Sequence, residues 1–470
     1  MKRRLNRTSA TTATGSRWSE RRQVTRAIRI AHLVAGISVT RKKRAACALI
    51  GACAFSIVNE AIRKAMKVNE ATGPLRGLRV LELGHYVAVP YCTRMLADLG
   101  AEVIKVEPPV AGDPMRRSGK MVKDRALWWS SLARNKKLIT LDLRQPEGQA
   151  IAVELIRHVD VVVENFRAGQ LEKWNLGWDV IQQANPRASL VRVTGFGQSG
   201  PYKDRVAFAA IAEGTGGLTY VTGAERNARP VRPSLSLGDT ITALNSFGML
   251  LAALYERDTV GTQRGRCIDI AMYETVFSMM DGSITEYGAT GEVREPAASA
   301  AVFSPSGSYR TRDGRWIMLT ASGNAVFSRL ADAIGQPVLA DDARFRENSD
   351  RVRNRVELNA IIDKWCGQND MQMVAEVFNA ASVPASGVYS VADCAQDSHY
   401  AARGSILRVQ DDHFGEVLHP PIAAKFTDDG SQPAVRWAGG DIGAHNSEVY
   451  QDMLKLDAAL LERLRSQGII

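Results

Sequence analysis

Between Arg79 and Gly197, short apolar runs alternate with helix-length segments, and few folds accept that alternation. VLEL (Val80–Leu83) reads as a strand, Pro90 to Leu99 as a helix, and AEVIKVE (Ala101–Glu107) as a second strand closed by Pro108-Pro109. LITLDL (Leu138–Leu143), a helix from Pro146 to His158, DVVVENF (Asp160–Phe166), a helix from Trp178 to Ala184 and SLVRVTGFG (Ser189–Gly197) continue the pattern. Strands of apolar runs alternating with helices mean βαβ units and a mostly parallel sheet. The expected class is α/β, a doubly wound sheet whose ligands bind beyond the carboxyl ends of the strands. A second region follows the helix from Ala271. GSYRTRDGRWIMLTA (Gly307–Ala321) reads as a hairpin turning at Asp313-Gly314. Helices from Asn324 to Ile334 and Arg353 to Cys366 make this region a smaller α+β unit ending near VPASGVYSV (Val383–Val391). A strand-like EVLHPPIAAKF and a helix from Ala458 to Ser466 complete the chain.

The net charge of +10 suggests a nucleic-acid partner until the charges are located. Fifteen Lys and Arg lie in residues 1–65 against only Glu20 and Glu60, which leaves the rest slightly acidic. Nucleic-acid binding by the body therefore loses its support. The apolar run from Ala45 to Val58 is too short and too rich in small residues to span a bilayer, so no membrane partner is expected. Three readings of the tail compete: an organelle transit peptide, a segment that touches acidic surfaces, or upstream sequence outside the functional protein. The compact MKVNEATGPLRGLRVLELG opening at Met66 favours the last. The expected setting is cytoplasmic, with a mitochondrial one the alternative if the tail is a transit peptide. Cys47, Cys53, Cys92, Cys267, Cys366 and Cys394 form no CxxC pair and read as reduced, mostly buried thiols.

Several chemistries are disfavoured. The first strand–helix turn, LELGHYVAVP, contains only Gly84 where a dinucleotide fingerprint needs three glycines, although Glu107 ends the next strand. None of the seven histidines is paired at helical metal-ligand spacing, and neither a GxSxG elbow nor a Walker loop occurs. Two segments remain. In DVVVENFRAG (Asp160–Gly169), Phe166 can stack on a planar ring and Arg167 can pair with phosphate, with Lys173 a second cation two turns on. The plainer alternative is a packed Phe166 and a solvated Arg167. In RPVRPSLSLGDTITALNSFGMLLAALYE, alternating Leu235 and Leu237 read as a strand running into Gly238–Asp239. A helix with Ile241, Leu244, Phe247, Leu251 and Leu254 on one face then starts at once. By these residues alone, Asp239 is an N-cap.

Taken in order, the segments GPLRGLRVLELG, LADLGAEVIKVEPP with GDPMRR, LITLDLRQPEG, DVVVENFRAG, GFGQSGPY, AEGTGGLTYVTG, SLGD, GTQRGRCIDIAMYE, GSYRTRDGRWI and VPASGV resemble the class III CoA-transferase family. The likeness covers Gly73 to Ile470. It implies a Rossmann-like large domain built from both ends of the chain, a smaller α+β domain, and two subunits interlocked like linked rings. The boundaries implied are a basic extension over 1–72, a large domain over 73–285, a small domain over 286–392 and a return over 393–470. It also implies that Asp239 is a nucleophile, which a place at a helix start does not forbid. A carboxylate attacks an acyl-CoA thioester, a mixed anhydride and then an aspartyl-CoA thioester form, and a free acid takes the CoA. No permanently bound cofactor or metal is implied; coenzyme A thioesters and small carboxylic acids are substrates.

By the same likeness, CoA contacts Val87, Ala88, Arg144, Asn165, Phe166, Arg167 and Lys173. Ala88-Val89-Pro90 departs from the family's A-G-P. Val206 and Phe208 replace a lysine and a tyrosine of the formate enzymes, whose glycine-run loop gives way to Ser304-Pro305-Ser306-Gly307, so formyl transfer is disfavoured. The related α-methylacyl-CoA racemases use a histidine near Phe208, which cannot move a proton. A non-catalytic CoA-binding protein is the rival from another class. The segment up to SLGD resembles a branch that takes CoA from succinyl-CoA to other dicarboxylic acids, with an arginine matched by Arg232 and Arg229 nearby. Arg232 and Phe208 are the substrate-side residues this implies.

Overall fold

Six short strands line up in one parallel sheet. They are β1 (Arg79–Glu82), β2 (Glu102–Glu107), β3 (Lys136–Thr140), β4 (Val161–Glu164), β5 (Ser189–Thr194) and β6 (Cys267–Ala271). Their order is β3-β2-β1-β4-β5-β6, and every pairing is parallel. This is the Rossmann order, with its topological switch between β1 and β4. The computed structural model describes residues 73–223, 228–296, 302–428 and 433–470; the basic extension, with Cys47 and Cys53, lies outside the described residues.

The continuous apolar runs explain the two-sided burial. Side chains alternate across a strand, so Leu81, Ile104, Val162 and Leu190 face one side. Leu155 and Ile156 of a helix over Pro146–Arg157 and the C-terminal Val449, Tyr450, Leu461, Leu464, Ile469 and Ile470 cover that side. Val80, Val103, Val161, Val163, Val191 and Val193 face the other, against Val89 and Leu96 of α1 (Ala88–Asp98) and Leu250 and Leu254 of α4 (Leu237–Tyr255). Each such aliphatic side chain contributes about 1.5–3 kcal/mol by leaving water. We label the helix over Pro146–Arg157 α2 and the short helix over Ala209–Thr215 α3. Proline at the first position of α2 lacks only an N–H that a helix start would leave unpaired.

A separate three-stranded antiparallel sheet contains β7 (Ser306–Arg310), β8 (Trp316–Thr320) and β9 (Ala385–Gly387), in the order β9-β8-β7. The hairpin turn expected at Asp313-Gly314 joins β7 to β8, with Gly314 in the left-handed region at φ +80°. Tyr309, Ile317 and Leu319 pack on Phe327, Leu330, Leu358, Ile362 and Phe378 from the helices Asn324–Ala333, Arg355–Cys366 and Met371–Ala380. Further on, Leu407–Asp411 and Gly415–His419 pair as an antiparallel hairpin.

Three expectations need correction. Residues 228–236 form no strand, and α4 begins at Leu237. Pro230 and Pro233 remove two ladder donors, and Leu235 is 71% exposed, so the alternation there is that of a loop. On α4, Leu254 of the expected face is buried and Phe247 and Leu251 pack on the core, but Leu244 is 56% exposed, and the face also buries Gly238, Thr242, Ala243, Ser246, Leu250 and Ala253. The hydroxyls of Thr242 and Ser246 bond carbonyls one turn back (2.7 Å each), so small polar residues sit on the packed side without unpaired atoms. Finally, of the four described cysteines only Cys92 and Cys366 are buried; Cys267 is exposed and Cys394 half-buried. By length and composition Leu237–Val260 is apolar enough to cross a membrane; α1, α3 and β5 pack on α4.

Candidate active site

The connections from β1 and β4 leave in opposite directions, and the crevice between them is the place where such sheets bind ligands. Asn165 closes its floor. The Asn165 side-chain amide donates to the His85 carbonyl and its oxygen accepts from the His85 N–H, both at 2.8 Å. A Cβ on Gly84 would lie 2.4 Å from Val89 Cγ1 and 2.9 Å from Asn165 Oδ1, so only glycine permits this approach. That is the reason for the single glycine of the first turn.

Beneath the loop lies a buried charge cluster. Lys105 Nζ lies 2.8 Å from each of Glu82 Oε1, Asp113 Oδ2 and the Gly84 carbonyl. Lys136 Nζ donates to Glu82 Oε2 at 2.8 Å and to the Pro90 carbonyl at 2.8 Å. Burial draws the Lys136 ammonium down to about 8, Glu82 opposing it. Burial pushes the Asp113 carboxyl up, but Lys105 and His85 together outweigh it and hold the group well below the usual range. Asp113 in turn accepts from Met115 N and Tyr86 N, which ties the loop to the next segment. Phe166 packs edge-on between His85 (5.5 Å) and Trp174 (4.9 Å).

The facing wall comes from α3, the loop 228–236 and the start of α4. Ser236 is the N-cap residue of α4, but its hydroxyl makes no capping bond, and Asp239 sits inside the first turn. The N-cap reading of Asp239 is therefore corrected. Instead the fully buried Glu213 of α3 accepts the Gly238 N–H at Oε1 (3.0 Å) and Arg232 Nε at Oε2 (2.8 Å). Burial first and Glu213 second push the Asp239 carboxyl up to about 7, while Arg232 pulls the other way.

Both walls line one cavity of about 760 Å³, within the range of small-molecule sites. Val87, Ala88, Asn165, Phe166, Arg167 and Lys173 line one side; Phe208, Arg232 and Asp239 line the other. Phe208 is 60% exposed and meets Tyr86 edge-on at 5.7 Å. Arg144 is not among the lining residues: its guanidinium forks onto Asp142 at 2.8 Å and is 73% exposed. Sequence reasoning missed Lys203 and Arg205, two further cations of the lining that follow GFGQSGPY. It also missed Glu213, whose signal was a lone acid in the apolar AAIAEGTGG. Among the described residues no group of three His, Cys, Asp or Glu could hold a metal. The arrangement offers a half-buried carboxylate as nucleophile and a rim of cations for phosphates.

Known proteins carry the same pattern. The model of CoA-transferase family III matches residues 75–446. The succinyl-CoA–D-citramalate CoA-transferase of Chloroflexus aurantiacus is 41% identical over 399 residues, 84% of this chain and 98% of its own. The mouse succinyl-CoA:glutarate CoA-transferase is 30% identical over 84% of this chain and 90% of its own. A crystal structure of a CAIB/BAIF family protein from Brucella suis superposes with a TM-score of 0.71, at 30% identity over 81% of this chain and 99% of that one. The chain belongs to CoA-transferase family III and is a CoA-transferase.

Proposed function

We propose that the enzyme moves CoA from succinyl-CoA to a second dicarboxylic acid, and that Asp239 carries the reaction. The Asp239 carboxylate attacks the thioester carbonyl; a C–O bond forms, the C–S bond breaks, and CoA leaves as thiolate. The thiolate then attacks the Asp239 carbonyl of the mixed anhydride, which releases succinate and leaves an aspartyl-CoA thioester. The acceptor carboxylate repeats the two steps in reverse. Arg167 and Lys173, with Lys203 and Arg205, pair the phosphates of CoA, and Val87, Ala88 and Asn165 shape the channel for its arm. The observation that carries the reading is Asp239 in one cavity with a cationic rim on one side and Arg232 on the other.

Arg232 is the group that favours a dicarboxylate, since a guanidinium holds a distal carboxylate in a two-pronged pair. Relatives named for succinyl-CoA, citramalate and glutarate support the same class. The exposed apolar side chains of α4, Leu244 and Met249 among them, support an interlocked homodimer that would cover them. The test is to incubate the protein with succinyl-CoA, trap with hydroxylamine or borohydride, and map the modified peptide by mass spectrometry. Modification at Asp239 is expected; modification elsewhere overturns the mechanism. A screen of acceptors should show dicarboxylic acids used in preference to monocarboxylic ones.

A further inference from the structure

The start of α4 is capped from outside the helix. A helix beginning Ser236-Leu-Gly-Asp has two side chains of its own for the free N–H groups: the N-cap Ser236, and Asp239 at the third helical position. Ser236 makes no capping bond, and among the described residues the Asp239 carboxylate accepts no hydrogen bond. Glu213, 25 residues earlier on α3, supplies the acceptor instead. Gly238 makes room for it: a Cβ there would lie 3.1 Å from the Ala209 carbonyl and 3.2 Å from Glu213 Cγ. The second oxygen of the same carboxylate holds Arg232 by Nε, on a loop with no regular structure.

We infer that Glu213 is a positioning residue for the reaction at Asp239: by capping α4 in place of the helix's own side chains it leaves both oxygens of Asp239 uncommitted, and by the same carboxylate it anchors Arg232 beside them. The inference rests on the function proposed above. A carboxylate bonded to helix N–H groups is stabilised as an anion and so a poorer nucleophile. Glu213 removes that brake and adds a fixed negative charge 0% exposed to water. Arg232, held by its Nε, keeps the rest of its guanidinium for a substrate carboxylate. The Glu213 charge would be costly so deep in the fold without the two donors it accepts.

The test is Glu213→Gln, which keeps the size but can no longer accept both bonds, made alone and together with Arg232→Met. Formation of aspartyl-CoA from succinyl-CoA is followed in single turnover, with steady-state kcat and KM and the melting temperature of each variant. Glu213→Gln should lower the single-turnover rate by about 10–100-fold, the scale of a lost charge-assisted bond. It should also raise KM for succinyl-CoA. In the Arg232→Met background the KM effect of Glu213→Gln should vanish while the rate effect persists. A purely structural role would lower the melting temperature and change both backgrounds alike. Wild-type rate and KM in Glu213→Gln, or the same KM effect in both backgrounds, overturns the role of Glu213 and leaves the proposed function standing. If wild-type protein forms no aspartyl-CoA, the proposed function fails and the positioning role falls with it.

Discussion

The two walls of the cavity are held in opposite ways. The wall from the carboxyl ends of β1 and β4 rests on buried ion pairs, Lys105 with Glu82 and Asp113 and Lys136 with Glu82, and on the reciprocal Asn165–His85 bonds. In the wall from α3, the loop 228–236 and α4, the one carboxylate of Glu213 joins loop to helix among the described residues, and Arg232 is 45% exposed. A buried network is over-determined, because moving one member strands another charge in low dielectric. Among the described residues the loop 228–236 makes one side-chain hydrogen bond, that of Arg232, and a loop so lightly held can be re-formed by changing a few residues. The difference matches the two halves of the proposed substrate: CoA is constant, and the acid is the part that differs among relatives.

Damage to each wall therefore has its own signature. The largest effect should come from Asp239→Ala, which removes the proposed nucleophile and should lower kcat by on the order of 10⁴-fold with little change in melting temperature. Retention of activity would place the chemistry elsewhere. Next is Lys105→Met, which leaves Glu82 and Asp113 facing each other without their shared cation. Breaking such a buried cluster should cost about 3–5 kcal/mol in chemical denaturation. A loss under about 1 kcal/mol, the scale of an exposed pair, would show that this wall is no more rigid than the other.

Arg232→Met should raise KM for succinyl-CoA about 10–100-fold while a monocarboxylic acyl-CoA is affected little. Equal effects on both donors would refute the clamp, and unfolding would contradict the loose wall. The smallest effect is a pH limb. A carboxylate attacks only when ionised, and the Asp239 carboxyl is pushed up to about 7. Below that value the protonated form dominates, so kcat/KM should rise with pH, about tenfold per unit on the acid side, and level off above it. A profile flat from pH 5 to 8 would mean that Asp239 is not the titrating group. Arg232→Met should move the limb upward, because it removes the cation that favours the anion.

Much of the fold was legible. The parallel sheet, the helix over Trp178–Ala184 and the hairpin at Asp313-Gly314 follow from periodicity and turn chemistry, which report the burial and backbone needs of near neighbours. The loop 228–236 was misread because Pro-separated Val, Leu and Ser imitate a strand's alternation without its ladder. The buried face of α4 was only partly legible, Leu254, Phe247 and Leu251 but not Leu244, because Thr242 and Ser246 bond within their own helix and so pack like small apolar residues.

What the sequence by itself determined is the succession of elements and the residues at the strand ends, Gly84 and Asn165 among them, together with an acid at the start of a long helix. Those properties are local, and local sequence encodes them. The tertiary structure alone decided which distant groups meet. It brought Glu213 to Gly238 across 25 residues, Lys105 to Glu82 across 23, and Phe166 to His85, and it turned Arg144 away onto Asp142. No spacing rule announces such pairs, because they depend on how whole elements pack and on which charges the interior must satisfy. For that reason the motif could point to Asp239, but the carboxylate that caps its helix could be seen only once α3 lay against α4.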